Sequence, residues 1–223
     1  MNLTERFLEI RKSIHRDIKI VAVSKYKPAE NIERLFNDCG QVIFGENKAQ
    51  EMVDKALKIK TPVEWHFIGH LQSNKIRMIL PHVSLIQSID SAKLLEAVNK
   101  EAKRINKTIP CLIQFYIAQE ESKFGFTYDE FSSYFKSGKL KELKNIEIRG
   151  IMGMATYIDN QSQIRAEFRN LKGIFNSLKI NYFNTDSAFS EISMGMSDDY
   201  DIAIEEGSTL IRVGSKIFGE RNY

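Results

Sequence analysis

Apolar positions along the chain alternate between short continuous runs and longer stretches with helical spacing, from one end to the other. Leu3, Phe7, Leu8, Ile10 and Ile14 recur at the spacing of an amphipathic opening helix. Ile18 to Ser24 follows as a buried strand that ends at Lys25, and Pro28 starts a helix carrying Ile32, Leu35 and Phe36. Gln41–Phe44, Glu64–Ile68 and Val83–Ser88 predict further strands, separated by helices over Glu46–Ile59 and Ser73–Leu80. Ser91 then caps a long helix reaching Ile105. In the second half, strands are expected at Ile109–Ile117, Ile146–Met152, Tyr182–Thr185 and Thr209–Val213. Helices are expected at Tyr128–Phe135, Gln161–Leu178 and Asp198–Glu206.

Strict alternation of strand and helix requires parallel strands covered by helices. Eight such units, with no linker or low-complexity tract dividing the chain, predict a single (β/α)8 TIM barrel over residues 1–223 with an extra N-terminal helix. A doubly wound open sheet is the competing architecture. It is disfavoured because no glycine-rich dinucleotide fingerprint follows the first strand.

Composition narrows the setting. A net charge of +3 over 223 residues, with lysines such as Lys55, Lys58, Lys100 and Lys103 spread beside acidic residues on helices, describes solvated faces rather than a nucleic-acid stripe. Cys39 and Cys111 stand alone, without CxxC spacing, which suits a reducing compartment. No stretch approaches the about 20 apolar residues that span a bilayer, and the first residues lack an apolar signal region. A cytoplasmic protein with no nucleic-acid or membrane partner is expected.

A barrel places its active residues at the C-terminal ends of the strands. That rim carries Lys25, Gly45-Glu46-Asn47, Gly69–Ser73, Ser88, Tyr116, Met154, Ser193–Ser197 and Gly214-Ser215. A lysine at the mouth of a buried strand either snorkels into water or, desolvated, becomes a nucleophile for Schiff-base chemistry. Ser193-Met194-Gly195-Met196-Ser197 and Gly214-Ser215 fall in the two loops where barrels build phosphate sites, and their free N–H groups suit anion binding. Each is also compatible with a capped helix or a plain turn. Arg212 shares a strand face with Gly214, and faces either a ligand or a surface carboxylate such as Glu205 or Glu206. His66 and His70 have no third ligand to complete a metal set, and Ser24 lies in no GxSxG elbow. Met152, Met154, Met194 and Met196 suit barrel packing, with Met154 or Met196 able to touch a bound ring.

Five separated blocks carry a resemblance that covers essentially the whole chain. They are Ala22-Val23-Ser24-Lys25, Phe44-Gly45-Glu46-Asn47, His66–Lys75, Ser193–Ser197 and Ile211–Arg221. In these the chain resembles the pyridoxal phosphate homeostasis proteins of the YggS/PROSC type, whose barrel is similar to the N-terminal domain of alanine racemase. The resemblance implies pyridoxal 5'-phosphate (PLP) held on Lys25 as an internal aldimine, with Asn47 near the ring. It also implies Ser197, Gly214 and Ser215 holding the phosphate and Arg212 at the pyridine nitrogen; Ser193, Gly195 and Met196, from the same loop, are expected to bind the cofactor too. The chain departs from the family at Tyr116, where a small polar residue is usual, and around Gly153-Met154 and Asp186–Glu191.

Two functions from different classes compete. One is a PLP carrier that buffers the cofactor and delivers it to PLP-dependent apo-enzymes, working as a monomer without catalytic residues of its own. The other is a PLP-dependent amino-acid racemase-like enzyme. A two-base racemase needs a second acid/base opposite the lysine, which the related racemases draw from a further domain. The chain stops at Tyr223, just after the eighth strand, so no such domain is expected. An arginine at the ring nitrogen also weakens the ring as an electron sink. The carrier is therefore the expected function.

Overall fold

The short apolar runs become strands because each is covered twice, by helices outside and by the opposite strands inside. The computed structural model describes residues 1–15, 17–118 and 124–219. Its strands are β1 (Lys19–Val23), β2 (Ile43–Glu46), β3 (Glu64–Phe67), β4 (Val83–Ile89), β5 (Ile109–Gln114), β6 (Ile146–Met152), β7 (Glu191–Ser193) and β8 (Leu210–Val213). They pair in parallel in chain order, and β8 returns to β1 to close the barrel. An opening helix, α1 (Leu3–Ser13), precedes them. Each strand is then followed by a helix: α2 (Ala29–Cys39), α3 (Ala49–Lys58), α4 (Ile76–Ile79), α5 (Ala92–Arg104), α6 (Tyr128–Lys136), α7 (Gln161–Asn181), α8 (Tyr200–Glu205) and α9 (Ser215–Phe218). This is the expected (β/α)8 barrel with an additional N-terminal helix.

Local chemistry sets the boundaries. Asn2 and Thr127 close capping boxes with Glu5 and Glu130, and Ser91 Oγ accepts the Leu94 N–H at the start of α5. The opening helix is tied down at the far end of the chain, where Arg6 Nε donates to the Ile217 carbonyl at 2.7 Å. Outward strand residues such as Ile20, Phe44, Ile86, Ile113 and Ile211 are fully or nearly fully buried under the helices. Each such side chain contributes about 1.5–3 kcal/mol of burial.

Inside the barrel a smaller cluster of Leu85, Leu112 and Met152 packs separately from that main core, with Met154 against it. Val21 and Val23 line the same interior, because a Cβ on Gly45 would lie 2.8 Å from Val21 Cγ1 and 3.6 Å from Val23 Cγ2. At the N-terminal end, Lys19 of β1 pairs with Glu191 of β7. Polar residues take over toward the C-terminal end.

Several boundaries differ from expectation: α3 starts at Ala49 because Glu46 belongs to β2, β5 stops at Gln114 rather than Ile117, and α7 runs on to Asn181. The seventh strand is not Tyr182–Thr185 but the three-residue Glu191–Ser193, so Ser193 ends a strand rather than lying in a loop. The aromatic pattern of the expected strand serves packing instead: Phe183 stacks on Phe189 at 4.2 Å, Phe189 on Phe175 at 5.0 Å, and Lys179 donates to the Phe189 carbonyl at 2.8 Å. The second strand starts two residues late, because the Gln41 amide is spent on the carbonyls of Ile20 and Ile43 at 2.8 and 2.5 Å. The helix expected from Asp198 begins at Tyr200, with Asp199 as its N-cap.

Candidate functional site

β1 ends at Val23, and Ser24 and Lys25 carry the chain onto the rim. Lys25 is half-buried there. The neighbouring strand ends are close: a Cβ on Gly214 would sit 3.3 Å from Val23 Cβ, and Val23 is in register with Gly45 of β2. Lys25 therefore stands between Gly214-Ser215 on one side and Asn47 on the other. Asn47 is half-buried, and its Oδ1 is sheltered from solvent with no hydrogen-bond partner.

The two loops singled out as phosphate-type meet directly. The Gly214 N–H donates to Ser197 Oγ at 3.2 Å. Gly195 is the residue that makes this possible. Its φ of +93° is left-handed, and a Cβ there would lie 2.6 Å from Ala203 Cβ and 2.9 Å from Tyr200 Cα. Only glycine lets α8 pack this close. Met196 is half-buried, and its N–H donates to Asp199 Oδ1 at 2.5 Å. Ser215 is exposed and opens α9, whose internal bonds begin with the Ile217 N–H to the Gly214 carbonyl at 3.0 Å. The amides of Ser215 and Lys216 thus precede that ladder.

Arg212 points into the barrel, only 4% exposed. Its Nη1 donates to Ser193 Oγ at 2.5 Å and its Nη2 to the Gly153 carbonyl at 3.0 Å. The surface ion pair with Glu205 or Glu206 is not formed; those carboxylates meet Arg165 at 2.5 and 2.8 Å. Burial pushes the Arg212 guanidinium down to about 10, opposed by the charge of Asp199, so it remains a cation at neutral pH.

From Arg212 a chain of hydrogen bonds crosses the interior. A serine hydroxyl has one proton. Accepting from Arg212, Ser193 gives that proton to Gln87 Oε1 at 2.7 Å. The Gln87 amide then reaches His66 Nδ1 at 2.8 Å. An amide nitrogen only donates, so His66 Nδ1 is the acceptor and the ring is neutral. Burial holds His66 down to about 3, with the charges of Lys19 and Arg149 acting in the same direction. β4 and β7 are not neighbours in the sheet, so the Gln87–Ser193 bond spans the lumen.

The nine residues expected at the site all lie at the C-terminal ends of β1, β2, β7 and β8, in the loops that follow or, for Ser215, at the start of α9. Glu220 and Arg221, from the last sequence block, lie outside the described residues. Gln87 and His66 join the site beyond the nine residues expected from the sequence. Their signal was a polar side chain at an inward position of a buried strand. His70 takes a different part from His66: its Nδ1 is 2.9 Å from Asp90 and its ring stacks on Phe124 at 4.4 Å. Among the described residues no group of three His, Cys, Asp or Glu could hold a metal ion. Chemically, the rim offers an amine, a pair of loops with hydroxyl and amide donors, and a buried cation. Such a set suits an anionic, aromatic carbonyl compound.

Comparison with known proteins gives the same direction. The family profile described as alanine racemase, N-terminal domain, matches residues 1–222. The pyridoxal phosphate homeostasis protein of Aquifex aeolicus is 36% identical over 206 residues, covering 92% of this chain and 88% of that protein. The protein of the same name from Escherichia coli K12 is 36% identical over 93% of this chain and 87% of its own. Among solved structures, PipY of Synechococcus elongatus PCC7942 with PLP bound superposes with a TM-score of 0.88 at 30% identity, over 98% of this chain and 100% of that one. Alanine racemase of Clostridium difficile 630 shares the fold, with a TM-score of 0.78 at 15% identity, and this chain covers 57% of it.

Proposed function

The chain belongs to the alanine racemase N-terminal domain family, among the pyridoxal phosphate homeostasis proteins, and from that membership we propose that it holds PLP reversibly on Lys25, buffers it and passes it to PLP-dependent apo-enzymes. PLP brings an aldehyde, a phosphate and a pyridine nitrogen. The Lys25 amine would add to the aldehyde carbon and release water to form a Schiff base, and hydrolysis would reverse the step. Gly195, Met196, Ser197, Gly214 and Ser215 would make the phosphate cradle, directly or by shaping its two loops, and Ser193 would serve the cofactor by holding Arg212. The orphaned Asn47 Oδ1 lies on the Lys25 side of the rim, where the ring would sit.

Arg212 carries the reading. It is a buried cation whose described acceptors, Ser193 Oγ and the Gly153 carbonyl, are both neutral. A guanidinium carries five N–H donors, and these two bonds leave it capacity to donate to a ligand acceptor. A guanidinium can only donate, so facing a pyridine nitrogen it would keep that nitrogen unprotonated. The ring then stabilises a carbanion poorly, which suits holding the cofactor over transforming a substrate.

The setting follows the same reading: a monomer in a reducing cytoplasm. Cys39 and Cys111 are both free thiols, and among the described residues no helix is long and apolar enough to cross a membrane.

Titration of PLP into the purified protein tests the tether. The expected result is Schiff-base absorbance, fixed by borohydride onto the peptide containing Lys25 and absent in Lys25→Ala. Retention of the absorbance in Lys25→Ala would overturn the assignment. Restoration of activity to a PLP-dependent apo-enzyme by the loaded protein, faster than by its spontaneous release of PLP, tests delivery.

A further inference from the structure

Behind Lys25, on the helix side of the sheet, lies a buried ionic cluster that the cofactor reading does not use. Gly45 faces the interior, so Glu46, the next residue of β2, faces the helical layer. Its carboxylate is fully buried at 0% exposure. Glu46 Oε1 accepts from Ser24 Oγ and from Lys55 Nζ, both at 2.7 Å. Lys55, on α3, is buried too. It divides its three N–H bonds among Glu46 Oε1, Glu51 Oε1 and the main-chain carbonyl of Ser24, each at 2.7 Å. Glu51 Oε1 also accepts the Tyr26 N–H at 2.5 Å.

These contacts converge on the two residues that flank Lys25. Ser24 is held by its hydroxyl and its carbonyl, and Tyr26 by its N–H. The turn between them is tight, closed by the Lys27 N–H to the Ser24 carbonyl at 3.0 Å. Tyr26 has a φ of +61°, a left-handed conformation that non-glycine side chains disfavour. Such a conformation persists only where the surroundings over-determine it. Buried ion clusters are also seldom better for stability than apolar packing of the same volume, so stability alone does not explain this one.

We infer that Lys55, with Glu46 and Glu51, is a positioning device for Lys25: it locks the backbone on both sides of the lysine and so fixes where the amine is presented to an aldehyde. This rests on the reading of Lys25 as the PLP tether. Lys55 and Glu51 touch no ligand in this scheme; they act through Ser24 and Tyr26. Burial raises the Glu46 carboxyl above the usual carboxylate range, with Lys55 and the Ser24 hydroxyl opposing that shift.

The test compares two ligands on the full chain. PLP forms the Schiff base; pyridoxine 5'-phosphate has the same ring and phosphate but an alcohol in place of the aldehyde, so it reads the cradle alone. Glu51→Ala frees the Tyr26 N–H from a partly exposed helix position and is expected to fold; Lys55→Met removes the hub. Each variant is expected to weaken PLP binding about ten-fold, the scale of one charge-assisted hydrogen bond. Pyridoxine 5'-phosphate affinity is expected to stay within about two-fold, and Glu51→Gln, which restores an acceptor, to recover most of the PLP affinity. Unchanged PLP affinity in Glu51→Ala overturns the inference, as does equal weakening of both ligands, which marks a purely structural cluster. If Lys55→Met does not fold, Glu51→Ala and its rescue decide alone. Lys25→Ala separates the two readings: a Schiff base that survives it sinks the tether, whereas one lost in Lys25→Ala but untouched in Glu51→Ala sinks only the positioning role.

Discussion

Acid should loosen the barrel through His66, by an amount that follows from its burial. The ring is sealed in the interior, and its proton affinity falls from the ordinary value of 6.5 to about 3, chiefly by desolvation. Above pH 6.5 the imidazole is neutral in both the folded and unfolded chain, and the contribution is level. As pH falls below 6.5, the unfolded chain gains a proton that the folded barrel refuses, and stability is lost until the folded value near 3 is reached. At about pH 5 that difference amounts to about 2 kcal/mol relative to neutral pH, from RT ln of the two protonation factors. Urea unfolding of the native protein and of His66→Asn at about pH 7.5 and about pH 5 isolates it, since the asparagine Oδ1 can still accept from Gln87 but does not titrate. The native protein should lose about 2 kcal/mol more than the variant between the two conditions, with unchanged m-values. Parallel losses would refute the reasoning, and with it the assignment of a neutral, unprotonated Nδ1 to the interior chain.

Other outcomes follow from single contacts. Ser193→Ala leaves Arg212 Nη1 and Gln87 Oε1 buried without a partner, so it should cost about 1–3 kcal/mol in denaturant unfolding and weaken PLP binding as well. Gly195→Ala forces a side chain into a left-handed backbone against Ala203; a loss of about 1–2 kcal/mol or more is expected, together with weaker binding of inorganic phosphate. Arg212→Lys keeps the charge but not the two-pronged donation, so the Schiff-base band should shift in position or pH dependence without being lost. Burial raises the Cys111 thiol well above its ordinary range, so an alkylating reagent should modify it only after unfolding.

The barrel was legible because strand and helix alternate without interruption, and because Lys25, Arg212 and the 193–197 loop fall where strands end. What escaped was set by contacts distant in sequence. Tyr182 and Phe183 carry the pattern of a strand, yet their rings are drawn to Phe135 and Phe189, while the real seventh strand is too short to show a period. The partnership of Gln87 with Ser193 joins residues 106 positions apart, and periodicity does not report on the far wall of a barrel. His66 looked like half of a failed metal pair with His70 because spacing alone does not say that one faces the lumen and the other Asp90. Lys55 passed as one more helix-surface lysine; its burial depends on Glu46 and Ser24 arriving from two other elements.

The interior chain from Arg212 to His66 has one more consequence. Its cation holds its proton up to about pH 10, and its imidazole accepts none until about pH 3. Well inside those limits the charge of this Arg212–His66 chain is constant. A cell that acidifies or turns alkaline by a unit or two leaves that charge unchanged. A change in cofactor retention across that range would then come from other groups: the lysine, the ligand and the Glu46 carboxyl behind the rim, which burial pushes above the usual carboxylate range.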